Sequence, residues 1–320
     1  MKAITLSDPS DKTSLALTEV ETPTPAAGEV LVKVQAAGIN RGDLLQAAGH
    51  YPPPPGASDI MGLECAGVIE DPNGHDFAQG DPVACLLAGG GYAEYVAVPV
   101  GQVMPLPKGY SPEEAASIVE VACTVYSNLV MLAGMRAGQK VLIHGGAGGI
   151  GTFAIQMAKA MGCEVMVTAG SEDKLQVCRR LGADVLINYR EEDFAEVVKN
   201  QADVILDIMG AKYLDRNITA MAPDGHMVII GMQGGVKGEL NIGKLLSKRG
   251  TISATALRAR DLEDKARICA AVVENVWPML ERGEISHQIH EVLPIADAAR
   301  AHQMLADGLV TGTLVLRVDA

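Results

Sequence analysis

The strongest chemical signal in the sequence is a glycine-rich run between a short apolar strand and an amphipathic helix. Gly146, Gly148 and Gly151 fit the pattern G-x-G-x-x-G within the run 141–151. In such a loop the first glycine permits a tight turn, the second lets backbone N–H groups approach a pyrophosphate, and the third lets the helix pack close to its strand. The positive end of the helix then faces the phosphates. The run predicts a dinucleotide site; the alternative interpretation is a glycine-rich turn without a ligand.

The end of the next strand bears on which dinucleotide binds. Sites specific for NAD place an acidic residue there, about 20 residues past the loop. This chain has Ala169 at that position, followed by Ser171 as a hydrogen-bond donor and Lys174 as a positive charge. Glu172 and Asp173 argue against a phosphate here unless they cap a helix start. We expect a 2′-phosphate, and hence NADPH; the alternative for Lys174 is a solvated surface lysine.

The elements that must position these residues alternate between strand and helix from about residue 138 onward. The segment from Ile150 to Met161 has apolar residues at helical spacing, and Gly162 is a plausible helix stop. Strands with helical crossovers predict an α/β fold with a doubly wound parallel sheet. Six β-type runs are expected, at 141–144, 164–168, 185–188, 204–208, 227–230 and 251–254.

The two ends of the chain show a different pattern. The first 120 residues are strand-like and rich in turns, with a strand at Val30–Gln35 and a helix start at Ser111 followed by Pro112. After about residue 260 we expect a long helix, a strand near 288–293, a helix near 295–306 and a final strand at 313–318.

Composition narrows the class of protein. The chain has 320 residues, 48% of them hydrophobic and 20% charged, which predicts a folded globular protein. The net charge of −13 disfavours binding to nucleic acid or to an anionic membrane. Six cysteines without a C-x-x-C pair, no signal-peptide core and no run of 18 or more apolar residues predict a cytoplasmic protein with no membrane span.

Several segments together resemble a known family. They are Gly138–Gln156 around the glycine loop, Asn40–Leu44, Tyr51 with the prolines and glycine after it, Gly62–Glu64, Asn188–Phe194 and Leu257–Asp261. The chain resembles, over nearly its whole length, the quinone oxidoreductase branch of the medium-chain dehydrogenases/reductases. It looks most similar to the p53-inducible subgroup, beside zeta-crystallin. The resemblance implies a GroES-like catalytic domain at 1–121, a central Rossmann domain at 122–258 and a returning catalytic part at 259–320.

The resemblance also implies roles for individual residues. Asn40, Asp43, Tyr51 and Thr124 would line the nicotinamide cleft, and the first three are the catalytic candidates. Tyr51 is the evident phenolic donor for a quinone oxygen as negative charge develops there. The alternative role for Tyr51 is packing on the proline run. The alternative role for Asn40 and Asp43 is that of turn residues at a loop. The expected cofactor-binding residues are Asn40, Thr124, Gly146, Gly148, Gly149, Ile150, Gly151, Ala169, Gly170, Ser171, Lys174, Tyr189, Gly231, Met232, Gln233, Gly234 and Leu257.

A zinc site is not expected. Zinc alcohol dehydrogenases of the superfamily bind catalytic zinc through two Cys and one His. Their first Cys falls at Asn40 and their His at Leu63, which cannot bind a metal, and the four-cysteine structural lobe is missing. Without a Lewis acid, a simple alcohol or aldehyde oxygen is hard to polarise, so an easily reduced conjugated carbonyl is the better substrate hypothesis.

Three functions are compatible with these residues and motifs. The first is a zinc-independent NADPH:quinone reductase, a homodimer as relatives usually are, with the strand at 251–257 as the pairing edge. The second is an NADPH-dependent reductase of 2-alkenals or other enones. The third is a non-catalytic NADPH-binding protein with a regulatory or nucleic-acid role, which the negative net charge disfavours.

Overall fold

A computed structural model describes residues 1–8, 11 and 13–318, and within them the chain forms two compact units. The first unit comprises residues 1–123, 257–282 and 287–320, and the second comprises 124–256 and 283–286. The first unit therefore takes in both ends of the chain, and the second takes in most of its middle.

The second unit is built on a parallel sheet, because its strands are joined by helical crossovers. The strands are β8 (Lys140–His144), β9 (Glu164–Ala169), β10 (Val185–Asn188), β11 (Ala202–Asp207), β12 (Met221–Ile229) and β13 (Thr251–Ala254). All neighbouring strands pair in parallel, in the order β10-β9-β8-β11-β12-β13. Strand order reverses direction at β8, and this reversal is the position where doubly wound sheets bind ligands, outside the carboxyl ends of the strands.

Helices accompany this sheet between its strands. They are α4 (Gly149–Ala160), α5 (Glu172–Arg180), α6 (Phe194–Val197), α7 (Leu214–Ala220) and α8 (Ile242–Lys248). Helix α4 follows the glycine loop directly, with Gly148 as its N-cap and Gly162, at φ +80°, just beyond its last turn. Apolar side chains of the strands and helices form the core of the unit, with Leu142, Met166 and Ile205 fully buried.

The first unit is built on largely antiparallel strands. They are β1 (Lys2–Leu6), β2 (Leu15–Glu19), β3 (Glu29–Ile39), β4 (Glu64–Asp71), β5 (Pro82–Leu86), β6 (Tyr95–Pro99), β7 (Val103–Pro105), β14 (Ile289–Pro294) and β15 (Thr313–Arg317). A seven-stranded sheet has the order β14-β15-β3-β4-β5-β7, with β6 also pairing with β3, and β1 and β2 form a separate pair. Strands β14 and β15 are the exception to the antiparallel pattern, since they pair in parallel.

Six more α-helices occur in the described part of the chain. They are α1 (Arg41–Ala47), α2 (Pro112–Ala116), α3 (Val119–Val125), α9 (Leu262–Asn275), α10 (Trp277–Glu281) and α11 (Ala298–Ala306). Helix α2 begins where predicted, because the Ser111 side chain accepts the N–H of Glu114 and Pro112 occupies the first turn. Helix α1 was not predicted from the sequence, because its seven residues are too few to show a helical period.

One helical segment qualifies the expectation about membrane spans. Pro112–Leu132 has 21 residues and a mean hydropathy of 1.6 in its most apolar window, so by length and composition it is able to cross a membrane. Of that window, 78% is buried inside the protein. A buried core helix has these same properties, so the segment is weak evidence for a membrane span.

Candidate functional site

The glycine loop lies at the carboxyl end of β8, where a Cβ atom would be accommodated at one glycine and rejected at two others. A Cβ at Gly151 would lie 2.4 Å from the Gly145 carbonyl oxygen, and one at Gly146 would lie 2.9 Å from the Cys178 Sγ. A Cβ at Gly148 would meet only the Gly145 oxygen, at 3.6 Å. The space above the Gly148 backbone is therefore open, and the loop fits a pyrophosphate approaching it.

One detail of the loop differs from the sequence prediction. The motif places the tight turn at Gly146, but the left-handed backbone, with φ +70°, belongs to Gly145. Gly146 allows close packing instead, because a Cβ there would lie 2.9 Å from Cys178 Sγ and 3.0 Å from Val167 Cβ. The loop also ends in a helix N-terminus at Gly149 and Ile150, whose first-turn N–H groups have no intrahelical acceptor.

The end of β9 has no acidic side chain. Ala169 is buried, and Ser171 caps α5 by accepting the N–H of Lys174 at 3.4 Å. A hydroxyl that accepts one hydrogen bond can still donate its own proton. Tyr189, after β10, is 42% exposed, and its hydroxyl oxygen lies 2.4 Å from the position that a Cβ would take at Gly170. Glu172 and Asp173 occupy the first turn of α5, where acids stabilise the helix dipole.

A buried polar chain fixes the strand ends beneath this site. His144 ends β8, as the sequence suggested, and its Nδ1 lies 3.0 Å from the Thr168 hydroxyl while Nε2 lies 2.7 Å from Asn217 Oδ1. Burial lowers the pKa of His144 to about 4, so the imidazole is neutral and joins the ends of β8 and β9 without a charge. Asp207, at the end of β11, accepts the N–H groups of Met209 and Gly210.

The other predicted residues of the second unit lie after β12 and in the helical segment before β8. Gly231 sits against the Ile208 backbone, Met232 is 60% exposed and Gln233 donates its N–H to Ile208. Gly234 donates to the Met209 carbonyl oxygen at 2.7 Å. Thr124 is buried, and its carbonyl oxygen accepts the Asn128 side-chain amide.

In the first unit, Asn40 and Asp43 belong to the start of α1. Asp43 is fully buried, and its carboxylate accepts the N–H groups of Asn40 and Gly62 and the hydroxyl of Tyr92. Burial raises the pKa of Asp43 to about 6 against these hydrogen bonds. The Asp43 carboxylate therefore holds the turn at the start of α1 from inside, which is the alternative role that the sequence left open. Leu257, predicted to contact the cofactor, is buried in this unit as well.

The Asn40 side chain contacts Glu64, an acid for which the sequence motifs predicted no role. Its side-chain Nδ2 donates to Glu64 Oε1 at 2.7 Å, and the backbone N–H of Glu120 donates to Glu64 Oε2 at 2.8 Å. Glu64 is fully buried, and burial raises its pKa to about 8. Glu64 stands in a segment that carries the family resemblance, but nothing in its neighbours along the chain indicates that it would face Asn40.

Tyr51 lies beside a buried arginine and a glycine. The Arg258 guanidinium lies 4.9 Å from the centroid of the Tyr51 ring, and the ring passes close to Gly42, where a Cβ would be 3.4 Å from Cε1. Burial raises the pKa of the phenol, and Arg258 opposes that shift. The Tyr51 ring is thus held beside a cation.

The donor set does not fit a catalytic zinc ion. Asn40 directs its amide to Glu64, and Leu63 is a buried apolar side chain. In the part of the chain that the structure describes, no three or more His, Cys, Asp or Glu side chains are grouped so that they could hold a metal ion. The six cysteines are buried and unpaired.

Two known protein families match parts of this chain. The alcohol dehydrogenase GroES-like domain family matches residues 26–108, and the zinc-binding dehydrogenase family matches 149–271. A quinone oxidoreductase of Pseudomonas aeruginosa is 32% identical over 300 residues, which is 91% of this chain and 92% of that protein.

Two solved structures are similar over essentially their full length. The Escherichia coli quinone oxidoreductase complexed with NADPH has a TM-score of 0.85 and 28% identity, covering 99% of this chain and 100% of that one. An NAD-dependent alcohol dehydrogenase has a TM-score of 0.87 and 29% identity, covering 100% of both chains.

The GroES-like unit and the Rossmann-type unit together define a medium-chain dehydrogenase/reductase, and the chain is an oxidoreductase of that type. Within this superfamily it belongs to the quinone oxidoreductase family.

Proposed function

We propose that this protein is a zinc-independent NADPH:quinone reductase, allied to the p53-inducible subgroup. The observation that carries the proposal is the glycine loop, which is closed by protein at Gly146 and Gly151 and open at Gly148. The NADPH-bound E. coli relative supports a nicotinamide cofactor, although an NAD-dependent relative has the same fold. The choice of NADPH over NADH therefore rests on the residues of this chain that follow β9 and β10.

The residues after β9 and β10 favour a phosphorylated ribose. Ala169 removes the carboxylate that would accept a ribose hydroxyl and repel a phosphate. Ser171, Lys174 and Tyr189 supply a hydroxyl, an ammonium and a phenol within this region. Glu172 and Asp173 weaken the local positive potential, and solvent screens it further, so we expect a preference of about tenfold to a hundredfold for NADPH.

The chemistry divides between cofactor and protein. NADPH, when bound, supplies a hydride, which carries two electrons and one proton. Tyr51 supplies the second proton that a quinone needs to become a hydroquinone. Asn40, held by Glu64, forms part of the wall around the acceptor, and Asp43 keeps Asn40's turn in place from the interior.

The experiment is a turnover assay with 1,2-naphthoquinone and with a 2-alkenal, each with NADPH and NADH at one fixed salt concentration. We expect the highest kcat/KM for NADPH with the quinone. A higher kcat/KM for the alkenal would make the protein an enone reductase. No turnover with either acceptor, together with a salt-sensitive gel shift on nucleic acid, would support a non-catalytic role instead.

We also propose a cytoplasmic homodimer. Strand β13 is an edge strand of the parallel sheet, and the segment before it exposes Val236, Ile242 and Leu246, each about 70% exposed or more. An unpaired edge beside an apolar surface favours pairing with a second copy. Light scattering after size-exclusion chromatography should give a dimer mass, and Ile242→Glu with Leu246→Glu should shift it toward the monomer.

A further inference from the structure

We propose that Arg258 is a positioning residue for proton transfer: it holds the Tyr51 side chain in place and supplies the positive charge that stabilises the phenolate left behind when Tyr51 gives up its proton. The inference rests on the proposed function, in which Tyr51 protonates the reduced quinone. It adds a residue to which neither the sequence motifs nor the comparisons assign a role.

Arg258 is a buried cation whose hydrogen bonds all go to neutral oxygens. The side chain is 4% exposed. Its Nε donates to the Ala88 carbonyl oxygen at 2.7 Å, Nη1 to the Tyr51 carbonyl oxygen at 2.8 Å and Nη2 to Gln46 Oε1 at 2.7 Å. Among the ion pairs of residues 1–8, 11 and 13–318, none involves Arg258. Burying a charge without a paired acid is costly, and here that charge is not cancelled by a direct partner.

The guanidinium holds Tyr51 at two points. Its Nη1 donates to the Tyr51 backbone carbonyl oxygen. Its Cζ lies 4.9 Å from the centroid of the Tyr51 ring, within the range of a cation–π contact. The ring also lies close to Gly42, where the absence of a Cβ leaves room for it: a Cβ there would be 3.4 Å from Tyr51 Cε1. Loss of Arg258 therefore frees both the loop and the ring.

The charges around the phenol show why a cation matters at this position. Among the described residues, the Arg258 guanidinium favours the Tyr51 phenolate, and the Glu120 and Asp43 carboxyls oppose it. Burial opposes the phenolate as well and is the largest effect on the pKa. Arg258 is thus the group that offsets the surroundings when the phenol loses its proton.

Atoms and electrons balance across the proton transfer. The hydride from NADPH, the reductant, converts the quinone into a hydroquinone anion. The Tyr51 O–H bond then breaks as a new O–H bond forms on the hydroquinone oxygen, and the electron pair stays on the Tyr51 oxygen, where the positive charge of Arg258 favours it. The phenolate takes a proton from solvent, so each cycle consumes one NADPH, one quinone and one proton.

The test is a double-mutant cycle. Arg258→Met removes the charge and keeps the length of the chain, Arg258→Lys keeps the charge and loses the forked geometry, and each is combined with Tyr51→Phe. The matched control is Arg260→Met, two residues away, where the arginine pairs with Asp264 near the surface. We measure kcat and KM for 1,2-naphthoquinone, the Kd for NADPH and the melting temperature of each variant.

We expect Arg258→Met to lower kcat by about tenfold to a hundredfold, the loss from one charge-assisted contact, with NADPH affinity unchanged. Arg258→Lys should recover part of the loss, and Arg260→Met should match the parent enzyme. In the Tyr51→Phe background, Arg258→Met should cost less than about twofold, because the two residues act as one unit. If Arg258→Met does not fold, Arg258→Gln carries the same comparison.

An equal fold-loss in both backgrounds would overturn the proposal, because Arg258 would then act without Tyr51. Equal kcat for Arg258→Met and Arg258→Lys would also overturn it, since the charge would have no role. Failure of the proposed function looks different: the parent enzyme itself would not oxidise NADPH with a quinone.

Discussion

The sharpest prediction concerns Gly148, because the structure separates its role in binding from any role in folding. Gly148 has φ −82° and ψ 174°, a conformation that any residue adopts, and an added Cβ would touch only one oxygen at 3.6 Å. Gly148→Val should therefore change the free energy of unfolding by less than about 1 kcal/mol.

The same substitution should remove cofactor binding. The valine side chain fills the space that the pyrophosphate needs and separates it from the backbone N–H groups of the loop. Losing two charge-assisted hydrogen bonds of about 1.5–3 kcal/mol each gives about 3–6 kcal/mol, or a Kd for NADPH raised by about 10²- to 10⁴-fold.

Titration calorimetry with NADPH and thermal unfolding measure the two quantities independently. Gly243→Val is the matched control: Gly243 also lies at a helix start, and its Cβ would meet only one oxygen, at 3.6 Å. Gly151→Ala is the contrasting case and should disrupt the loop itself, because its Cβ would lie 2.4 Å from the Gly145 oxygen. A folded Gly148→Val protein that binds NADPH as tightly as the parent would refute the assignment of the pyrophosphate to this loop.

Four other properties of the protein can be checked in the same way. Lys174→Ala should lower kcat/KM for NADPH about tenfold and leave NADH nearly unchanged, and an equal loss for both cofactors would show that Lys174 does not face the phosphate. Tyr51→Phe should lower kcat/KM for quinones by about tenfold to a hundredfold at constant NADPH affinity; an unaltered rate would leave Tyr51 as packing only. The purified enzyme should keep full activity in a chelator, because Leu63 cannot bind zinc, and elemental analysis that finds one zinc per chain would contradict this. His144 has a pKa of about 4 in the folded protein against 6.5 in the unfolded chain, so the unfolded chain takes up the proton first as the pH drops. The free energy of unfolding should therefore fall by about 3 kcal/mol through this pH window. Between pH 7 and pH 4, His144→Gln should lose about 3 kcal/mol less of its free energy of unfolding than the parent, and equal slopes of stability against pH would argue against a buried neutral imidazole.

The buried acids of the first unit respond to pH in the opposite direction. Burial raises the pKa of both Asp43 and Glu64, so the unfolded chain loses these protons first and the folded state is disfavoured as pH rises through their windows. Comparing His144→Gln with the parent cancels these contributions, because both proteins retain the two acids.

The sequence by itself determined the parts of this protein that depend on short-range patterns. The spacing of Gly146, Gly148 and Gly151, the apolar period of the helix after them and the six β-type runs all act within a few residues, and they identified the parallel sheet and the loop. The signal failed where a helix was too short to show a repeated period, as in the seven-residue α1. It also failed where either of two neighbouring glycines could form the turn, as with Gly145 and Gly146.

Only the tertiary structure decided which side chains meet in the first unit. Glu64 contacts Asn40 and the backbone of Glu120, which are 24 and 56 residues away along the chain, and Arg258 reaches the Tyr51 carbonyl oxygen across 207 residues. No local pattern encodes such pairs, because a buried polar group is placed by the strands and helices that surround it and then satisfied by whatever donor or acceptor the fold brings near. The chemistry of the loop was therefore apparent from neighbouring residues, whereas the surroundings of Tyr51 required the fold.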